Sequence, residues 1–130
     1  MVEALLNHET FFFRDVQSFE QLRGGALTAL RTRRAASKRL SIWCAGCSTG
    51  QEAYSLAIIF ADAAPQWRDW SVEITATDVS DVALDQARAG LYSQFEIQRG
   101  LPIASMLRWF DQVGEAWRVK RQLAGQGRFR

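Results

Sequence analysis

Apolar positions along the chain follow two periods, and glycine-rich or polar stretches separate them. Leu40 to Cys44 is a short apolar run of strand length that enters a turn of small residues, Ala45-Gly46-Cys47-Ser48-Thr49-Gly50. Beyond it, Ala53, Leu56, Ala57 and Phe60 recur at the spacing of a helix face. Thr49-x-x-Glu52 has capping-box spacing, which predicts a helix beginning at Thr49. Val72 to Asp78 alternates as a second strand. A further helix is predicted from Asp81 to Arg88, with Leu84, Ala87 and Leu91 on its buried side and Gly90 as its stop. Upstream, Ser18 to Leu30 reads as a helix capped by Ser18-x-x-Gln21 and weakened or ended early by Gly24-Gly25. Downstream, Leu91-Tyr92-Ser93 and then Gln98 to Pro102 read as loop, Ile103 to Phe110 as helix and Ala116 to Lys120 as strand. Ala124 to Arg130 is rich in Gly and Arg and offers little core. Strand, glycine turn, helix and strand in this order predict an α/β fold around a parallel sheet.

The turn narrows the chemistry. Gly46 and Gly50 let the backbone approach a ligand where a β-carbon would obstruct it. The dinucleotide fingerprint G-x-G-x-x-G is absent, and no Gly-Lys-Ser/Thr follows to make a P-loop. A turn without either phosphate pattern suits a ligand lacking a pyrophosphate, and S-adenosylmethionine is one such ligand. In an open parallel sheet ligands sit beyond the carboxyl ends of the strands, where Asp78 falls. Its carboxylate can accept hydrogen bonds from two ribose hydroxyls. The competing role is to cap the next helix, which Ser80 or Asp81 can do instead.

Composition sets outer limits. The 130 residues are enough for one domain with one core, and 48% of them are apolar, which predicts packing rather than disorder. The net charge of +2 argues against a protein dedicated to nucleic acid. Arg31, Arg33, Arg34, Lys38 and Arg39 lack interleaved aromatics for base stacking and read as a solvated connection. No apolar run approaches the roughly 20 residues of a membrane span, and the N-terminus lacks the pattern of a secretion signal, so a cytoplasmic protein is expected. One stretch fits no regular element: three consecutive Phe in Asn7-His8-Glu9-Thr10-Phe11-Phe12-Phe13-Arg14-Asp15. It reads either as a segment docking Phe rings on the core or as a loop covering a ligand, with His8, Thr10 and Arg14 turned towards it.

Four stretches together carry a resemblance: Thr10-x-Phe12-Phe13-Arg14-Asp15, Trp43 to Ser55 (WCAGCSTGQEAYS), Ala76-Thr77-Asp78, and Gln98-Arg99-Gly100-Leu101-Pro102. In this order they resemble the CheR family of chemotaxis receptor methyltransferases, over nearly the whole chain. The resemblance implies a Rossmann-like S-adenosylmethionine-dependent methyltransferase fold. It implies transfer of a methyl group to glutamate side chains in the cytoplasmic domains of chemoreceptors. It also assigns cofactor-contacting roles to Thr10 and Arg14, an acidic helix-start position to Glu52, and the strand-end acid that holds the nucleoside to Asp78. Arg14 is in addition a candidate catalytic residue, because a guanidinium can hold a carboxylate, of cofactor or substrate, through two parallel hydrogen bonds.

Departures from the family pattern are specific. His8 stands two places before Thr10 where the family often has Asn, and Gln51-Glu52-Ala53-Tyr54 replaces the usual Glu-Glu-Pro-Tyr. The family's preceding helical domain and its later strands have no counterpart in these residues. The expectation is therefore an incomplete parallel sheet, part of a methyltransferase domain, with the Phe-Phe-Arg segment at 7–15, the glycine-turn unit at 40–60 and the second strand and helix at 72–91. Two rival readings remain. One is a thiol–disulfide oxidoreductase using Cys44 and Cys47, since Trp43-Cys44-Ala45-Gly46-Cys47 has the W-C-x-x-C form. It predicts a thiol of depressed pKa. The other is a non-catalytic cofactor-binding module. Two Cys and one His are too few ligands for zinc.

Overall fold

The computed structural model describes residues 10–130, so His8 lies outside the described residues. The fold is mixed α/β, with a parallel sheet, flanking helices and a second, smaller sheet. The parallel sheet has the order β1 (Arg39–Ala45), β2 (Ser71–Thr77), β6 (Gly127–Phe129). β1 and β2 run in register from Arg39 against Ser71 to Ala45 against Thr77, so Gly46 and Asp78 leave the sheet side by side. The first described helix, α1 (Val16–Gln21), runs through one π-helical turn (Leu22–Ala26) into α2 (Leu27–Arg33). The Gly24-Gly25 pair therefore loosens this helix into a wider turn and does not end it.

α3 (Gln51–Asp62) follows β1 and is buried on nearly every side from Ala53 to Phe60. A helix wrapped this fully needs apolar residues all round, which Leu56, Ile58, Ile59 and Phe60 supply. After β2, α4 (Asp81–Ala89) is capped by Ser80, whose Oγ accepts from the Ala83 N–H at 3.1 Å, and it ends at Gly90 in the left-handed conformation. The C-terminal part contains β3 (Leu91–Ser93), α5 (Gln94–Gln98), α6 (Ile103–Trp109), β4 (Phe110–Val113), β5 (Ala116–Val119) and α7 (Arg121–Ala124). β3, β5 and β4 form an antiparallel sheet.

The structure corrects several expectations. α3 does not start with a Thr49–Glu52 capping box. Its N-cap is Gly50 at φ +98°, and the Thr49 hydroxyl donates sideways to Gln51 Oε1 at 2.6 Å. Ser18 does not cap α1. Asp15 does, its Oδ1 accepting from the Ser18 N–H at 3.2 Å and its Oδ2 from the Ser18 hydroxyl at 2.7 Å. Leu91–Ser93 is a strand and not a loop. Gly127–Phe129, expected to add little, is the third strand of the parallel sheet, with Phe129 against the Tyr54 ring.

Phe12 and Phe13 are buried, so the Phe-rich stretch docks these two rings on the core. The Phe12 ring meets Tyr92 at 5.1 Å and Phe110 at 5.6 Å, both edge-on. The Phe13 N–H donates to the Ser55 hydroxyl of α3 at 3.0 Å. From the other side, Gly100 packs its α-carbon against the segment. A β-carbon there would collide with the Phe12 carbonyl, and the residue sits at φ +85°. Arg99 lies over the Phe11 ring at 4.3 Å. The Phe-Phe-Arg and Gln-Arg-Gly-Leu-Pro motifs, far apart in sequence, are thus two halves of one contact.

Gly114 also has a positive φ but faces open space. Gly114→Ala is therefore expected to cost only the left-handed penalty, about 1 kcal/mol. Gly100→Ala adds a backbone collision and is expected to cost about 3 kcal/mol or more. Urea unfolding of the two variants beside the parent checks the difference. Equal losses would contradict the packing described here.

Candidate functional site

The carboxyl ends of β1 and β2 open onto a cavity of about 700 Å³, within the roughly 300–1,000 Å³ typical of small-molecule sites. Its floor is the glycine turn, through Gly46 and Ser48, and the first turns of α3, through Glu52 and Leu56. Its opposite wall is Thr10, Arg14 and Asp15, with Ser18, Phe19 and Leu22 of the first helical segment. Docking of Phe12 and Phe13 is what carries Thr10 and Arg14 across to face the turn.

Four of the residues expected from the sequence, Thr10, Arg14, Gly46 and Glu52, line this one cavity. Asp78 does not line it. It stands behind the turn, with Oδ2 accepting from the Ser48 N–H at 2.8 Å and Oδ1 accepting from the Ser80 N–H at 2.8 Å. Asp78 is thus not left free by the Ser80 cap. Its carboxylate is fixed by two backbone donors, and each oxygen keeps a second lone pair for a ligand. Ser48, Ser18 and Leu22 also line the cavity, though the sequence assigns none of them a site role. Ser48 carries no local signal, because its importance comes from a backbone conformation that only the folded turn imposes.

Two features of the floor leave room and an unsatisfied polar group facing the cavity. Gly46 is at φ +70°, and a β-carbon on it would meet no described atom within 4 Å, so it would project into open space. The Ser48 hydroxyl is buried and has no hydrogen-bond partner among the described residues. An unpaired buried hydroxyl is costly, and a polar ligand would relieve it. Charge is arranged across the cavity as well. Burial raises the Glu52 pKa above the ordinary carboxylate value, and the positive charge of Arg14 partly offsets this. Glu52 is nonetheless among the solvent-exposed residues. A cavity offering a cation, two carboxylates, hydroxyls, exposed backbone and apolar patches fits a zwitterionic ligand with an apolar ring system.

Other concavities lack this combination. One of about 780 Å³ on the antiparallel sheet contains one carboxylate, Glu115, and no cation. Another of about 430 Å³, at the amino end of β1, is lined by Arg31, Lys38 and Arg68 and holds part of the basic run. It is remote from the glycine turn. Among the described residues no group of three or more His, Cys, Asp or Glu is placed to hold a metal ion.

Cys44 and Cys47 are both buried and free. Burial, with the negative charge of Glu52, pushes the Cys44 thiol up to about 12. Burial and the charge of Asp78 push Cys47 up to about 11. A redox dithiol needs the opposite shift, so the geometry does not favour the oxidoreductase reading. Both thiols are expected to stay silent towards a disulfide reagent such as 4,4′-dithiodipyridine at pH 7 in the folded chain and to react fully in denaturant. A fast native reaction titrating below pH 8 would contradict this.

Comparison with known proteins agrees with this geometry. The family described as "CheR methyltransferase, SAM binding domain" matches residues 8–130. "Chemotaxis protein methyltransferase 1" of Pseudomonas aeruginosa is 37% identical over 134 aligned residues, covering 100% of this chain and 48% of its own length. "Probable chemotaxis protein methyltransferase" of Rhizobium etli is 36% identical, covering 95% of this chain and 46% of its own length. An uncharacterized 104.1 kDa protein of Rhodobacter capsulatus is 35% identical over 88% of this chain but only 12% of its own length. The chain spans about half the length of the chemotaxis methyltransferases it matches. With a family match running from residue 8 to residue 130, this chain belongs to the CheR methyltransferase family, in the part that forms its S-adenosylmethionine-binding domain.

Proposed function

We propose that this chain forms the cofactor side of a protein-glutamate O-methyltransferase acting on the cytoplasmic domains of chemoreceptors. The observation that carries the reading is the cavity itself. Gly46 and the unpaired Ser48 hydroxyl form its floor, Arg14 and Glu52 face it, and Asp78 stands behind its rim. Bound S-adenosylmethionine would supply a methyl group already activated by its sulfonium. Arg14 is suited to a carboxylate, by a two-pronged guanidinium contact. Glu52 and Asp78 offer acceptors for ammonium or ribose hydroxyl groups. Gly46 leaves room for the ligand to touch backbone, and Phe19, Leu22 and Leu56 offer apolar surface. The chain needs no nucleophile of its own, because the attacking oxygen belongs to the substrate glutamate. Its contribution is alignment, charge pairing and exclusion of water. The cytoplasm is the compartment where such a receptor domain is met, and no described helix is long and apolar enough to cross a membrane.

Isothermal titration with S-adenosylhomocysteine tests the reading. Micromolar affinity is expected, and Asp78→Ala is expected to weaken it by about tenfold or more, which is roughly 1.4 kcal/mol. No heat from a folded sample would contradict it. Methyl transfer from labelled cofactor to a receptor fragment separates an enzyme from a non-catalytic binding module.

The raised Glu52 pKa gives a second expectation, with opposite signs for stability and binding. Protonated Glu52 is favoured in the folded chain, so its contribution to stability is complete below the unfolded carboxylate pKa. It is lost as pH rises through the raised folded value. Affinity should instead fall as pH drops through that raised value, because the ionised acceptor disappears. In Glu52→Gln both trends should flatten, read by thermal unfolding of the apo chain and by titration across pH 4 to 8. An unchanged pH profile in Glu52→Gln would show that another group carries it.

A further inference from the structure

The Gly46–Gly50 turn has one internal main-chain bond, from the Gly50 N–H to the Cys47 carbonyl at 3.0 Å, and is otherwise held from outside. Gly46 is at φ +70°, Ser48 at φ +50° and Gly50 at φ +98°, so three of its residues occupy the left-handed region and one of them is not glycine. Backbone kept in such conformations persists only where its surroundings fix it. Three elements do so, one residue after another. The Thr77 carbonyl of β2 accepts from the Cys47 N–H at 2.9 Å. Asp78 accepts from the Ser48 N–H at 2.8 Å. The Tyr92 hydroxyl of β3 donates to the Thr49 carbonyl at 2.7 Å.

We infer that Tyr92 is a positioning residue for the cofactor turn: its phenol, carried by the small antiparallel sheet, holds the strained backbone that presents Gly46 and Ser48 to the cavity. Tyr92 is 1% exposed, and its ring is clamped edge-on by Phe12 and Phe110. The hydroxyl is therefore aimed by packing and not chosen from many rotamers. Burial raises the phenol pKa well above its usual value, so the proton it donates is retained. There is no slack on the far side. A β-carbon on Gly50 would lie 3.1 Å from the Tyr92 oxygen and 2.9 Å from the Ala87 β-carbon. The cofactor meaning of this contact rests on the function proposed above. The mechanical claim does not.

A matched control is built into the fold. Tyr54 is also buried, at 2% exposure, and its hydroxyl donates at 2.7 Å to a main-chain carbonyl, that of Ala87. Ala87 lies in α4, beside Gly50 but not part of the turn. Tyr92→Phe and Tyr54→Phe therefore each remove one buried phenol oxygen, and only the Tyr92 hydroxyl hydrogen-bonds the turn.

Two buried thiols report the result without any ligand. Cys47 lies in the turn and Cys44 in β1. Slow alkylation at pH 8, resolved by site with mass spectrometry, distinguishes local opening of the turn from global unfolding. Tyr92→Phe is expected to raise labelling of Cys47 relative to Cys44 by about fivefold, the scale of one lost hydrogen bond. Tyr54→Phe should leave the ratio unchanged. With S-adenosylhomocysteine, Tyr92→Phe should weaken binding by a similar factor and Tyr54→Phe should not. Equal changes at both cysteines, or the same ratio in both variants, would overturn the positioning role. Failure of the parent chain to bind would count against the proposed function, while the labelling ratio would still decide the role of Tyr92.

Discussion

Phe12 is packed edge-on between Tyr92 and Phe110, and its carbonyl occupies the space a β-carbon on residue 100 would need. Removing a fully buried aromatic ring of this kind costs about 3–5 kcal/mol, a large share of the stability of a domain this size. The consequence for the site is greater than the consequence for stability. Thr10 and Arg14 are two residues either side of Phe12, and among the described residues none from 10 to 15 belongs to a helix or strand. Their place opposite the glycine turn follows from the docking of Phe12 and Phe13 and from the Asp15 cap that starts the next helix. Without that docking the cavity would lose one wall.

The other wall depends on a complementary device. The turn between β1 and α3 carries left-handed residues and a hydroxyl unpaired among the described residues, features that cost free energy in the absence of a ligand. It is stabilised from β2, Asp78 and Tyr92. Tyr92 therefore serves both walls at once, through its ring against Phe12 and its hydroxyl on Thr49. The small antiparallel sheet looks peripheral in the topology. Through this single side chain it is mechanically part of the site.

How much of this could be read from the chain differs by element. β1, α3, β2 and α4 were legible because their apolar spacing is sustained and glycine or serine punctuates them. Gly46, Glu52, Thr10 and Arg14 came together as expected from the motifs. Local rules failed where tertiary contacts override them. Thr49-x-x-Glu52 has the spacing of a cap, yet the pinned turn places Gly50 at the helix start. β4 has one buried residue, Phe110, and three exposed ones, so no alternation betrays it. β6 is three residues long and exists because β2 offers it a free edge. Asp78 was identified as a strand-end acid, but its two bonds to backbone N–H groups could not be foreseen, since they depend on where the turn and the next helix come to rest. The W-C-x-x-C pattern misleads for the same reason: sequence spacing says nothing of the burial that raises both thiol pKa values.

The Phe-Phe-Arg segment and the glycine turn line one cavity at the carboxyl ends of β1 and β2, and the function proposed above needs both to meet the same ligand. Titration of the isotope-labelled chain with S-adenosylhomocysteine, followed by amide NMR, tests it most directly. The amides of Thr10, Arg14, Gly46, Ser48 and Glu52 are expected to shift together with one affinity, with Asp78 following. Those of Gln112 to Ala116, on the antiparallel sheet, are expected to stay still. Shifts confined to the basic cavity around Arg31 and Lys38, or to the glycine turn without the Phe-Phe-Arg segment, would contradict it.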